Sequence, residues 1–296
     1  MAYKVYFQTL GCKVNSYETA AIAKLLGEAG FEEVETPDQA DVYVVNTCAV
    51  TAEADRKSRQ MIRKARRLAP SAVVVAMGCH TEMCRDEDDA DIVVGTSDRP
   101  KLVPLLLEKM QLRCPETEGD TEAGTAFFEY GAVLLQEGTR AVIKIEDGCN
   151  NFCTYCIIPY ARGRVRSRKR ADILTEVRDL VQRGYREFVL TGIHVCSFEK
   201  ELGHTSTALG ELLLEIASIP GVERIRLGSL EPYSMSEELI ALLKQNTKLC
   251  PHFHLSLQSG SDSVLARMNR KYDTEEYLTV VNRLRSAFPT AKAQDA

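Results

Sequence analysis

The sequence predicts an α/β protein in two parts. An open parallel-sheet amino-terminal domain is expected over residues 1–112, a linker over 113–138, and an incomplete (β/α) partial barrel over 139–296. Three observations carry this. Short apolar, β-branched runs alternate with helical patterns along both parts, which is how parallel strands covered on both faces read. Between them Cys114-Pro-Glu-Thr-Glu-Gly-Asp-Thr-Glu-Ala-Gly is acidic and rich in turn formers. At the far end the alternation stops in or just after a helix. The last residues, from Ala287 to Ala296, do not read as a further strand, so the closing strands of the barrel are expected to be missing.

In the first part the strand-like runs are 3–9, 41–46, 72–76 and 91–94. Residues 18–29, rich in Ala, Leu and Glu, read as a helix, and 52–68 as a second helix with basic residues on one face. Residues 100–110 read as a closing helix. In the second part strands are expected over 140–146, 187–192, 224–228 and 252–257. Helices are expected between and after them over 171–184, 208–217, 235–245 and 274–287, with Gly184 at a plausible helix stop.

No apolar run approaches the roughly 20 residues that span a bilayer, and the start alternates like a strand instead of carrying a signal segment. The expectation is a cytoplasmic protein with no membrane partner. Its ten cysteines then favour metal binding or catalysis over structural disulfides. A net charge of −5 neither favours nor excludes RNA.

Cys149, Cys153 and Cys156 fall within eight residues, just after a strand. Three thiolates at this spacing can each take one iron of a four-iron cluster and leave the fourth open to an outside ligand. Structural zinc usually takes four protein ligands in paired spacings, and no nearby Cys or His completes that set. A dispersed triad, Cys12, Cys48 and Cys79, stands just beyond the carboxyl ends of three expected strands. In an open parallel sheet those ends share one edge, so three distant thiols can converge there. Cys84, Cys114, Cys196 and Cys250 share no spacing and read as ordinary thiols, Cys84 being also a possible accessory ligand. His80, next to Cys79, reads as a hydrogen-bonded surface histidine, with a ligand role as the alternative.

The segment from Ile143 through Cys149-Asn-Asn-Phe-Cys-Thr-Tyr-Cys156 to Gly163 resembles the radical S-adenosylmethionine methylthiotransferase family. Gly11-Cys12-Lys-Val-Asn15-Ser-Tyr17-Glu18 and Asn46-Thr47-Cys48 resemble that family's amino-terminal domain. The resemblance implies two 4Fe-4S clusters, one on Cys149, Cys153 and Cys156 and an auxiliary one on Cys12, Cys48 and Cys79. It also implies that S-adenosyl-L-methionine chelates the open iron and is cleaved to a deoxyadenosyl radical by one electron from a low-potential donor such as flavodoxin or ferredoxin. The auxiliary cluster would carry the inserted sulfur.

Lys13-Val14 after Cys12 is similar to the branch that acts on threonylcarbamoyladenosine in tRNA. The implied reaction replaces the C2 hydrogen of that base, next to the anticodon, by a methylthio group, with S-adenosylmethionine supplying both radical and methyl. The alternatives are a sibling acting on isopentenyladenosine or a ribosomal protein, and a non-catalytic protein that binds zinc and RNA. Family members also carry a carboxy-terminal β-barrel domain that grips tRNA.

Two basic stretches follow the cysteine loops. Arg162, Arg164, Arg166 and Arg168 come after Cys156, and Arg63 and Arg67 lie on the helix after Cys48. Placed so, they are expected to contact RNA phosphates, the anticodon loop offering unpaired bases. Tyr155, Glu231, Gln258 and Ser259 are expected near the cofactor: Glu231-Pro232 and His252…Gln258-Ser259-Gly-Ser261, followed by Met268-Asn-Arg270, resemble family segments at the same edge. His194-Val-Cys-Ser-Phe-Glu199 departs from the family's small-residue, Tyr-Gly pattern.

Overall fold

A computed structural model describes residues 2–86, 89–112, 126–134, 138–205, 207–290 and 292–295. Most of the expected linker, with Cys114, lies outside the described residues. The chain divides into two compact units, Met1–Leu135 with Tyr160–Gly163, and Gln136–Pro159 with Arg164–Ala296. No helix among the described residues is long and apolar enough to cross a membrane.

In the first unit the order is β1 (Tyr3–Thr9), α1 (Lys13–Glu28), β2 (Phe31–Glu33), β3 (Val42–Thr47), α2 (Ala52–Leu68), β4 (Val73–Gly78), α3 (Cys79–Met83), β5 (Ile92–Val94) and α4 (Leu102–Lys109). The strands form one sheet in the order β2-β1-β3-β4-β5, every neighbour parallel. All six residues of β3 are buried, as a central strand with helices on both faces requires. The α2 helix turns Ser58, Ile62 and Ala65 inward, and its apolar face packs on Tyr43, Val45, Val74 and Ala76. Thr51 caps it by accepting the Ala54 N–H, and Glu53 and Asp55 sit in its first turn, where the helix dipole favours them.

The second unit runs β6 (Arg140–Lys144), β7 (Glu146–Asp147), α5 (Ile158–Ala161, whose last two residues count with the first unit), β8 (Arg166–Ser167), α6 (Arg170–Gln182), β9 (Glu187–Thr191), α7 (Ala208–Ser218), β10 (Arg224–Leu227), β11 (Ser229–Leu230), α8 (Glu237–Gln245), β12 (His252–Leu255), α9 (Asp262–Arg267), α10 (Thr274–Ala287) and β13 (Lys292–Asp295). Parallel sheets β10-β9-β6 and β11-β12-β13 are formed, while β7 and β8 pair antiparallel. Only Gly228 separates β10 from β11. Its N–H donates to the Leu190 carbonyl, so the two read as halves of one bent strand and the order runs β6, β9, β10/β11, β12, β13. This is a parallel α/β unit with at least one helix between each successive pair of strands in that order. One expectation is corrected: residues 292–295 do form a strand, pairing His252↔Lys292 through Leu255↔Asp295.

Candidate functional site

The first site lies at the carboxyl ends of β1, β3 and β4, three neighbouring strands. Thr47 pairs with Gly78 in the ladder, so Cys48 and Cys79 leave their strands side by side. Thr9 pairs with Asn46, which sets the Cys12 turn against the same end. Gly78 has φ +114°, and a Cβ there would stand 2.5 Å from the Thr47 carbonyl oxygen; only glycine lets the chain turn into α3 at Cys79. Gly11, at φ +105°, lies so close to Cys48 that a Cβ would come to 3.0 Å from its Sγ. The Ser58 hydroxyl accepts the Cys48 N–H at 2.9 Å and lies 2.8 Å from the Cys48 carbonyl.

Asn15 ties the loops together. Its amide donates to Leu10 O at 2.7 Å and Thr47 O at 2.9 Å, and Cys12 Sγ lies 4.0 Å from its Oδ1. Cys48 and Cys79 are buried and Cys12 is exposed. Burial pushes the Cys79 thiol above its ordinary pKa, and the Arg162 guanidinium opposes that.

The second site is the loop after β7. Gly148 (φ +86°) opens it and Phe152 (φ +48°) bends it. The loop is held by residues after α9. Asn269 donates to Asn151 O at 3.2 Å and Phe152 O at 3.0 Å, and the Thr154 N–H donates to Met268 O. Tyr233 donates to the Asn151 side chain at 2.8 Å. Arg270 spans the site: it donates to Cys153 Sγ at 3.3 Å and Tyr155 Oη at 3.4 Å, and forms an ion pair with Glu231. Burial pushes the Cys149 thiol up to about 11, the carboxylate of Glu146 and the neighbouring Cys156 and Cys153 adding to it. Cys156 is likewise raised by burial, with Cys153 adding to it. Cys149 and Cys156 thus each feel the neighbouring sulfurs.

Among the described residues, no three His, Cys, Asp or Glu side chains are placed to hold a single metal ion. A four-iron cluster has one cysteine per iron, so its thiolates need not share one centre. Three thiols on a pinned loop, with a guanidinium donating to one of them, suit such an anionic group. So do Cys12, Cys48 and Cys79, which end three adjacent strands beside buried Arg162.

Of the residues expected near a cofactor, Tyr155 and Glu231 meet at Arg270. Burial raises the Tyr155 phenol to about 12. Glu231 is raised by burial against the pull of Arg270. Gln258 is exposed with φ +68°, and Ser259 accepts the Ser261 N–H.

The basic stretch after Cys156 is corrected in two places. Arg162 is buried against Glu18, Asn15 and Cys79, and Arg168 is buried in an ion pair with Glu176, so neither side chain faces solvent. Arg164 is exposed, its guanidinium 4.4 Å over the Phe152 ring, and Arg166 lies 3.8 Å from Asp147. On α2, Arg63 and Arg67 are exposed, Arg63 pairing with Asp89 at 3.2 Å; with Arg56, Arg59 and Arg66 they line a groove of about 720 Å³. His80 is fully buried and bonded to Asp55 at 2.5 Å, not a surface group. Sequence reasoning passed over Asn269, Arg270 and Asn15, though each lies in a segment already singled out. Arg99, which pairs with Glu18 at 3.0 Å, carried no signal at all.

Residues 4–95 match the Uncharacterized protein family UPF0004, and residues 143–293 match the radical SAM superfamily. The chain is 42% identical over 288 residues, covering 94% of itself and 68% of the relative, to the threonylcarbamoyladenosine tRNA methylthiotransferase MtaB of Aquifex aeolicus. The chain belongs to the radical SAM methylthiotransferase family.

It is also 42% identical over 96% of its length to the MtaB protein of Bacillus subtilis, and spans 64% of that relative. The tRNA-2-methylthio-N(6)-dimethylallyladenosine synthase of Acetivibrio thermocellus is more distant, at 34% identity over 97% of the chain and 62% of that protein. Within the methylthiotransferases the chain is therefore MtaB-like. A structure of the radical S-adenosylmethionine methyltransferase TsrM from Kitasatospora setae aligns with 99% of this chain and 67% of its own, with a TM-score of 0.69 and 16% identity, a likeness of fold.

Proposed function

We propose that this chain carries the catalytic part of a transferase that places a methylthio group on C2 of threonylcarbamoyladenosine in tRNA, next to the anticodon. The observation that carries the reading is the presence of two three-thiol sites at strand ends, in a chain whose MtaB relatives are 38–42% identical. One site would account for making the radical that removes the C2 hydrogen, and the second would offer sulfur to the carbon left behind.

Cys149, Cys153 and Cys156 would hold a 4Fe-4S cluster and S-adenosyl-L-methionine, which together supply a carbon radical when reduced by one electron from a donor of the flavodoxin or ferredoxin kind. Cys12, Cys48 and Cys79 would hold a second cluster. Asn269 fixes the backbone of the first cysteine loop, and Arg270 presents a cation to Cys153. Tyr155 and Glu231, which meet on Arg270, are the proposed cofactor contacts, with Gln258 and Ser259 on the loop after β12. Arg63, Arg67, Arg164 and Arg166 remain as proposed RNA contacts, in a reaction expected in the cytoplasm.

Mass spectrometry of tRNA nucleosides from a deletion strain tests the reading. Loss of the methylthio form of threonylcarbamoyladenosine supports it. Loss of methylthio-isopentenyladenosine instead moves the chain to the sibling activity, and an unchanged profile sinks both. Metal analysis after anaerobic purification separates the other class: about eight irons with matching sulfide fit two clusters, whereas zinc without iron ends the radical reading.

A further inference from the structure

Arg162 is a buried cation of the first unit, bonded on several sides. Its Nε donates to Cys79 Sγ at 3.1 Å and its Nη1 to Glu18 Oε1 at 2.9 Å. Nη2 reaches Asn15 Oδ1 at 2.7 Å and Glu18 Oε2 at 3.2 Å. The acceptor Asn15 is the residue whose amide holds Leu10 O and Thr47 O, next to Cys12 and Cys48. One guanidinium therefore touches the Cys79 sulfur directly and the other two cysteine loops through a single side chain.

The charge balance points the same way. Glu18 also pairs with Arg99, and all three side chains are nearly or fully buried. Two guanidiniums share one carboxylate beside Cys79. Buried charge is costly unless compensated, and a thiolate-bound anionic group at the three cysteines would sit against a guanidinium that already donates to one of their sulfurs.

We infer that Arg162 is a positioning residue for the iron–sulfur group of Cys12, Cys48 and Cys79, raising its reduction potential through the Nε–H···Sγ bond, with Glu18 as the opposing charge. This rests on the reading that these cysteines hold such a group. Hydrogen bonds to the sulfurs and nearby net charge are two of the terms that set a cluster's potential.

The test uses the full chain with Cys149, Cys153 and Cys156 all changed to Ala, so that only the site in question can load. After anaerobic reconstitution with iron and sulfide, the midpoint potential is read by EPR-monitored titration, and iron retention against a chelator is followed. Arg162→Gln is expected to lower the potential and to weaken iron retention about 10- to 100-fold. Glu18→Gln, which removes the negative partner, is expected to raise the potential. Arg162→Lys keeps the charge without the fork and falls between parent and Arg162→Gln; it and Glu18→Gln carry the comparison if Arg162→Gln does not fold. Opposite signs are what a merely structural role would not produce. Equal potentials, or shifts of the same sign, overturn the inference. A parent that takes up no iron overturns the cluster reading and the inference with it.

Discussion

Arg168 separates a structural from an RNA-binding role for the basic stretch after Cys156. Its side chain is 1% exposed and is paired to Glu176, itself fully buried on α6. Removing one member of a buried ion pair leaves the other charge uncompensated, at a cost of about 3–5 kcal/mol. In a unit of this size each kcal/mol lowers the melting temperature by about 2–4 °C, so Arg168→Met is expected to melt roughly 6–20 °C lower. The double variant Arg168→Met, Glu176→Leu removes both charges together and is expected to recover most of that loss. The measurement is differential scanning calorimetry, following the transition of the second unit, since two units need not unfold as one. The salt dependence of tRNA binding is measured alongside: a lost phosphate contact would reduce its slope by about one, and no change is expected. An Arg168→Met protein with unaltered melting and a shallower salt slope would refute the burial argument.

Glu146 and His194 contribute opposite slopes to the pH response of the second unit. Burial holds the Glu146 carboxyl at about 8, so the folded protein keeps a proton that the unfolded chain has lost, and stability falls as pH rises from about 4.5 to about 8. Burial first, and then the cations Lys200 and Arg270, lower His194 to about 3 from 6.5, so it has the opposite slope below 6.5. Of these two groups, Glu146 alone has a slope between 6.5 and 8, at most about 1.4 kcal/mol per pH unit. Glu146→Gln is expected to flatten urea-unfolding stability across that window. Gly78→Ala is expected to lower the first unit's melting temperature and its iron uptake, because the new Cβ meets the Thr47 carbonyl. Gly27→Ala, within α1 and with nothing within 4 Å, is expected to stabilise the same unit by about 0.5–1 kcal/mol in chemical denaturation. Asn269→Asp keeps the left-handed turn but cannot donate to Asn151 O and Phe152 O. It is expected to cost about 2 kcal/mol in melts and to lower iron bound at Cys149, Cys153 and Cys156.

The α/β architecture was legible because its strands are apolar enough to name themselves: Val42–Thr47 and Val73–Gly78 are almost wholly buried, and no polar periodicity interrupts them. The β13 strand was not, because Lys-Ala-Gln-Asp has no β-branched residue and its conformation is imposed by the ladder from β12. The α1 helix begins five residues earlier than its composition suggests, since Cys12 occupies the cap position without a side-chain capping bond. Around the cysteines the spacing exposes the thiols, while their supports come from remote partners. Arg162 finds Glu18 144 positions away, and Arg270 finds Cys153 117 positions away. An arginine run reads the same whether its members face water or a buried carboxylate, which is why Arg162 and Arg168 misled.

Arg162 also makes the first unit a product of two separate stretches of chain, Met1–Leu135 and Tyr160–Gly163. During synthesis the sheet of the first unit emerges before the arginine that completes its buried charge cluster. At about 5–20 residues per second the interval lasts a few seconds. For that time Glu18 has Arg99 but not Arg162, and the Cys79 sulfur lacks its donor. The nascent unit is thus left unfinished until residue 163 is made, so maturation of this thiol site follows chain elongation instead of accompanying it.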